Sequence, residues 1–233
     1  MTTRSAMQRR RFLHLAAAGV LLGCSRNSRD ASATSDPSTK TRGADRKVLL
    51  VFFSRAGENY FNGGRKVLAV GNTEIVADMI RDALGCDVLE IQPVDPYSDR
   101  YEPTVERNVR EQNDNARPAI VNMPSSIAAY ETILIGSPIW NVRVPRIMLT
   151  FAEHFDFTGK TVHPFTTYAM SGLGHAVEEY RTACRGATIG DALAIRGEEA
   201  ERSRPEVEAW LRRTKLLEAE RGVNSPCSAA VRT

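Results

Sequence analysis

Two short apolar runs restrict the possible folds of this chain more than any other feature. Val48 to Phe53 and Ile133 to Ile135, the latter closed by Gly136, are unbroken rather than alternating. A strand with one wet face alternates polar and apolar residues. A run without alternation is covered on both faces, as in a parallel sheet flanked by helices. Segments of helical period lie between such runs. Ile75, Val76, Met79, Ile80, Ala83 and Leu84 recur at helical spacing across Thr73 to Leu84, and Gly85 follows as a stop. Asp87 to Ile91 reads as a second strand, and residues 103–113 as a polar helix held only by Val105 and Val109. Pro145 to Phe155 is a helix with proline near its start, Thr161 to Thr167 a further strand, 174–184 another helix and 187–195 a last strand. Ser203-x-x-Glu206 makes a capping box before Val207, Trp210 and Leu211. Strands alternating with helices in this way predict an α/β fold with a doubly wound five-stranded parallel sheet. Right-handed crossovers make 2-1-3-4-5 the expected order.

The ends of the chain have a different character. Residues 1–24 hold no acidic residue and place Arg9-Arg10-Arg11 before an apolar run from Leu15 to Leu22. That run is too short to span a bilayer but suits the core of a signal peptide. Arg9-Arg10-Arg11-Phe12-Leu13 resembles a twin-arginine export motif, and Leu21-Leu22-Gly23-Cys24 resembles a lipobox, which makes Cys24 the expected lipidation site. The formal net charge is +3; subtracting the four arginines ahead of Cys24 leaves −1, so no nucleic-acid surface is expected. Residues 25–45 lack Ile, Leu, Val, Met and aromatic residues and read as a flexible linker. The expected domain is 46–213, followed by a C-terminal tail, 214–233. Cys86, Cys184 and Cys227 form no C-x-x-C pair and no metal site is expected. In the predicted element order Cys86 and Cys184 fall far apart and unpaired.

In this topology a ligand binds outside the carboxyl ends of the strands, beside strands 1 and 3. Three loops of unusual composition reach that edge. The first opens with Ser54-Arg55-Ala56, and after a long inserted loop the helix opens with Gly71-Asn72-Thr73. Omitting the insertion leaves hydroxyls, an amide and free backbone N–H groups at a helix N-terminus, a setting that suits a phosphate; Asn72 or Thr73 also qualifies as a simple N-cap. The inserted segment Gly57 to Val70 is open to reading as a lid, a docking surface or a solvated loop. The second loop, Ser137-Pro138-Ile139-Trp140-Asn141, carries a tryptophan able to stack on a flat heterocycle or to plug the core. The third, Met170-Ser171-Gly172-Leu173-Gly174, reads as a tight turn or as backbone shaped to approach a ligand.

Phe53-Ser54-Arg55, Gly71-Asn72-Thr73, Gly136-Ser137-Pro138-Ile139-Trp140 and Ser171-Gly172-Leu173-Gly174 resemble bacterial flavodoxin-like proteins, from residue 47 to about 213. The resemblance implies a short-chain flavodoxin-like fold that binds FMN, with a phosphate loop split by the insertion. It implies that Ser54, Arg55 and Ala56 with Asn72 and Thr73 surround the phosphate. Pro138, Ile139, Trp140 and Asn141 would flank the ring, and Met170, Ser171, Gly172 and Gly174 its far edge. Relatives often carry Trp-Trp-Gly where this chain has Trp140-Asn141-Val142.

The expected function is therefore electron transfer at the cell envelope, on the periplasmic or outer face, lipid-anchored, with a redox partner protein or small electron donor. An FMN-dependent NAD(P)H or quinone oxidoreductase is the alternative, and a flavin-free binding module on the same fold a third possibility. No catalytic residue is assigned. A hydrolase is disfavoured: there is no G-x-S-x-G, and no acid orients His175 near Ser171. His154 and His163 are expected at the surface or in loops.

Overall fold

The computed structural model describes residues 47–218. The expected signal segment with Cys24, the linker 25–45, Cys227 and the tail beyond residue 218 lie outside the described residues. In chain order the elements are β1 (Val48–Phe52), β2 (Gly57–Phe61), β3 (Gly64–Leu68), α1 (Asn72–Leu84), β4 (Asp87–Glu90), α2 (Tyr101–Asn113), β5 (Thr132–Pro138), α3 (Arg146–His154), β6 (Thr161–Tyr168), α4 (Ala176–Ala183), β7 (Thr188–Ile189) and β8 (Leu193–Arg196). A 3-10 helix (Gly197–Arg202) then leads into α5 (Arg204–Arg213).

The main sheet is parallel, in the order β4-β1-β5-β6-β7, with β8 also on β6. This is the expected 2-1-3-4-5 order. The unbroken apolar runs have the expected cause. Leu49, Val51, Ile133 and Ile135 face one layer, where Ile147, Met148, Phe151 and Tyr180 of α3 and α4 cover them. Leu50, Phe52, Leu134 and Phe165 face the other, under Val76 and Ile80 of α1 and Val207, Trp210 and Leu211 of α5.

The fifth strand is broken in two, and the break lies opposite Pro164. β7 pairs with Thr161 and Val162, and β8 with Phe165 to Tyr168, so neither pairs with His163 or Pro164. Proline has no N–H to give to a ladder, so a neighbouring strand loses its partner there. The carbonyl of Asp191, freed by the break, accepts from Trp210 Nε1 at 3.1 Å and lies 3.1 Å from His163 Nδ1. Because a carbonyl can only accept, His163 carries its proton on Nδ1 in this arrangement. His163 is therefore a buried strand residue and not the surface or loop histidine expected, and burial pulls its pKa below the ordinary value.

Three further details differ from expectation. Ser203 precedes α5, but its hydroxyl donates back to the Ala200 carbonyl at 2.8 Å and makes no cap bond. Val105 and Val109 do not anchor α2: each is about 40% exposed, while Thr104, Asn108 and Glu111 are buried. The third is the inserted segment, left open by the sequence as a lid, a docking surface or a solvated loop, which folds as a β2–β3 antiparallel hairpin. Leu216 and Leu217, past α5, still pack against the core. Cys86 and Cys184 are free, and burial raises their thiols to about 11 and about 12, so both stay protonated near neutrality.

Candidate functional site

The carboxyl ends of β1, β5 and β6 open into a cavity of about 400 Å³, within the range of small-molecule sites. Its walls come from the expected edge and also from α2 and the inserted segment, whose place at the cavity local sequence pattern did not reveal.

The β1 loop supplies Ser54 and Arg55. Ser54 Oγ accepts the Glu74 amide at 3.1 Å, so the hydroxyl serving the start of α1 comes from twenty residues upstream and not from Asn72 or Thr73. Gly71 is the N-cap and makes no side-chain cap bond. A Cβ on Gly71 would lie 2.1 Å from Ser54 Oγ and 2.9 Å from Arg55 backbone atoms, which shows how closely the returning chain abuts the strand end. Thr73 Oγ1 pairs with Thr167 Oγ1 at 2.7 Å, tying α1 to the end of β6. The amides of Asn72 and Thr73 precede the helix's own ladder and remain suited to an anionic ligand. Arg55 donates to the carbonyls of Ser98 (2.9 Å) and Glu58, while its buried Nε has no partner. Burial lowers its pKa from the ordinary value, opposed by the charges of Asp99 and Glu58.

Pro138, Ile139, Trp140 and Asn141 form the wall above β5. Trp140 and Arg143 exchange backbone hydrogen bonds across Asn141 and Val142, whose φ values are +49° and +60°. This is a two-residue turn of the primed kind, which favours glycine. A β-branched valine in the left-handed region costs about 1–3 kcal/mol and persists because its surroundings hold it. Here the Val142 carbonyl accepts the His175 amide at 2.8 Å, and Gln112 of α2 donates to the Trp140 carbonyl at 2.9 Å. The Trp140 ring sits edge-on to Phe53 (5.6 Å, 89°) and Tyr97 (5.1 Å, 75°). It is both a partial core plug and a cavity wall.

From the β6 loop the cavity takes Thr167, Tyr168 and Ala169. Met170, Ser171, Gly172 and Gly174, and likewise Ala56, do not line it. Met170 is 79% exposed, and Gly172 and Gly174 turn the chain at φ +57° and +50°. A Cβ on Gly174 would meet the Val142 carbonyl at 2.2 Å, so this glycine serves loop packing. The tight-turn reading holds there.

Two sets of residues were missed. Tyr101, Thr104, Val105, Asn108 and Val109 of α2 form a side wall, and the exposed valines find their role there. Polar contacts mount the helix: Thr104 Oγ1 donates to the Ser98 carbonyl, and Tyr97 and Arg107 both bond Glu111. The second set is Asn59 and Tyr60 of β2, with Gly197 and Glu198. Asn62-Gly63, at φ +47° and +83°, was the available signal for a hairpin. Among the described residues no group of three or more His, Cys, Asp and Glu is placed to hold a metal.

Residues 65–214 match a family model described as flavodoxin. The chain is similar to a solved structure described as a candidate flavoprotein from Bacteroides uniformis, with 33% identity and a TM-score of 0.58, covering 72% of this chain and 98% of that one. A second such structure, from Bacteroides eggerthii, shares 27% identity at a TM-score of 0.57 and covers 72% and 97%. No curated protein matches the chain.

Proposed function

We infer that this chain, which belongs to the flavodoxin family, binds FMN non-covalently in the cavity at the end of β1, β5 and β6 and serves in electron transfer at the cell envelope. The observation that carries the reading is the chemistry of the cavity walls. One end offers the first amides of α1, Ser54, Asn72 and the positive charge of Arg55; the other is Pro138, Ile139, Trp140 and the two valines of α2. A ligand with an anionic end and a flat, largely apolar end fits both. FMN has that shape, and when bound it supplies one- and two-electron redox chemistry. The chain's part is to hold and shield it. The α1 N-terminus and Arg55 neutralise the phosphate, the split loop bringing Ser54 and Thr73 to the same end. Trp140 and Ile139 bound the ring, and the strained turn at Asn141-Val142 presents backbone polar groups beside it.

Carrier activity fits the titratable groups on the walls. Among the described residues no histidine or cysteine lines the cavity, where the titratable groups are Arg55, which donates to two carbonyls, Glu198, which holds a hairpin amide, and Tyr60, Tyr101 and Tyr168. The redox partner is a protein or small donor at the membrane face. Export of the folded protein by a twin-arginine signal, and a lipid on Cys24, put it on the periplasmic or outer side.

The purified protein, stripped and incubated with FMN and then gel-filtered, is expected to retain a stoichiometric flavin spectrum. A folded but colourless protein would overturn the cofactor reading. Cys24→Ala is expected to move the protein from the membrane to the soluble fraction; continued membrane association would refute the anchor.

A further inference from the structure

The β2–β3 hairpin lies apart from the main sheet, and it is anchored on both flanks of the cavity. At its base the Glu58 amide donates to the Asp99 carbonyl at 2.6 Å, and Glu58 Oε2 accepts the Tyr101 amide at 2.9 Å. Arg65 pairs with Glu102 at 3.1 Å, its guanidinium 3.3 Å from the centroid of the Tyr101 ring. At its tip the Asn62 amide donates to Glu198 Oε1 at 3.0 Å. Tyr101 and Glu198 both line the cavity, from α2 and from the 3-10 helix, and between them Asn59 and Tyr60 of β2 line it too. The hairpin therefore crosses the mouth.

Its route also matters. The chain leaves for the hairpin directly after Arg55-Ala56 and returns at Val70-Gly71, against the first amides of α1. Both legs of the hairpin therefore rise beside the α1 N-terminus, the end at which the proposed phosphate would sit. An isolated two-stranded hairpin is marginal in water, so its position depends on these anchors. At the turn itself the anchor is one carboxylate, while Arg65, opposite Tyr60 and one pair below the turn, is held by Glu102 on the other flank. The Glu198 side chain is only 7% exposed; its other oxygen has no hydrogen bond and lies 3.6 Å from Arg196 Nε.

We propose that the β2–β3 hairpin is a selectivity strap, latched by Glu198, that admits a flavin ending in a single phosphate and refuses one that continues past it into a dinucleotide. The inference rests on the flavin reading above. A mononucleotide ends beneath the strap with its phosphate on the α1 N-terminus. A dinucleotide has a second phosphate and an adenosine to place where β2 and β3 run, and it binds only if the strap lifts. Glu198 is a positioning residue here, acting through the hairpin tip.

The test measures affinities and release rates for FMN and FAD on the full chain, with thermal midpoints as a control. The wild type is expected to prefer FMN by about a hundredfold or more. Glu198→Ala, which removes the acceptor for the Asn62 amide, is expected to narrow that preference by at least about tenfold and to speed FMN release, with little change in thermal midpoint. Glu198→Gln keeps an oxygen acceptor and is expected to restore most of it. A chain in which two glycines replace residues 58–69 is expected to bind FAD about as well as FMN. If both flavins bind the wild type and neither Glu198→Ala nor the shortened chain changes their ratio, the strap is refuted while the flavin reading stands. If the folded wild type binds neither flavin, both readings fall.

Discussion

Replacing Gly136 with alanine is expected to destabilise the fold by about 3 kcal/mol or more, toward or beyond the upper end of what overpacking a core costs. Gly136 lies in β5 opposite Phe165 of β6, and the Phe165 ring lies across it. An added Cβ would fall 1.9 Å from Cζ and 2.3 Å from both ring Cε atoms. The far end of a side chain can often yield, but this ring is fully buried and packed with Leu134, Val76 and Trp210. It has nowhere to swing. For a domain of this size the thermal midpoint is expected to fall by roughly 6–12 °C. Shortening the ring, with Phe165→Leu in the same chain, is expected to recover part of the loss, because it vacates the volume the methyl needs. A single alanine variant with an unchanged midpoint would show that the sheet relaxes locally and that the ring does not depend on a bare backbone at 136.

The second large effect is expected in binding. Gly71 sits at φ −71° and ψ 145°, a conformation open to any residue, so its requirement is steric. An alanine methyl there would lie 2.1 Å from Ser54 Oγ and 2.9 Å from the Arg55 N and C atoms. Either the β1 loop or the first turn of α1 moves, and the Ser54–Glu74 bond is lost with it. In the proposed site this is the phosphate end. FMN is expected to bind about a hundredfold more weakly to Gly71→Ala, roughly 3 kcal/mol. Riboflavin, which has the ring and polyol but no phosphate, is expected to lose only a few-fold. The preference for FMN over riboflavin therefore collapses, and titration of both flavins by fluorescence quenching measures it. Equal losses for the two would mean that the phosphate does not sit at the α1 N-terminus.

Much of the architecture was legible because its determinants are local. Val48 to Phe53 and Ile133 to Ile135 are apolar without alternation since α1 and α5 cover one face and α3 and α4 the other. Helical period marked α1 for the same reason, while a proline near its start marked α3 and the Ser203-x-x-Glu206 pattern marked α5. The order 2-1-3-4-5 then follows from handedness, and it brings Ser54, Arg55, Asn72, Thr73 and Pro138 to Asn141 to one edge.

What escaped the sequence are features whose partner lies far along the chain. Val105 and Val109 carry the spacing of a core-facing stripe, yet they face the cavity, because polar contacts to the 95–100 loop set the roll of α2. Ser203 has the spacing of a capping box, yet its hydroxyl finds the Ala200 carbonyl closer at hand. The hairpin was marked by Asn62-Gly63, but its strands are half-buried or exposed and show neither a strand's alternation nor its apolar run. Its place over the cavity depends on Asp99, Tyr101 and Glu198, and Glu198 lies 136 residues from Asn62. Sequence alone determined the sheet, its order and the edge at which the cavity opens, because burial on two faces and helical period are written residue by residue. Tertiary structure alone decided which side chains wall the cavity and where the hairpin is anchored, because those roles depend on hydrogen bonds between segments that no local pattern relates.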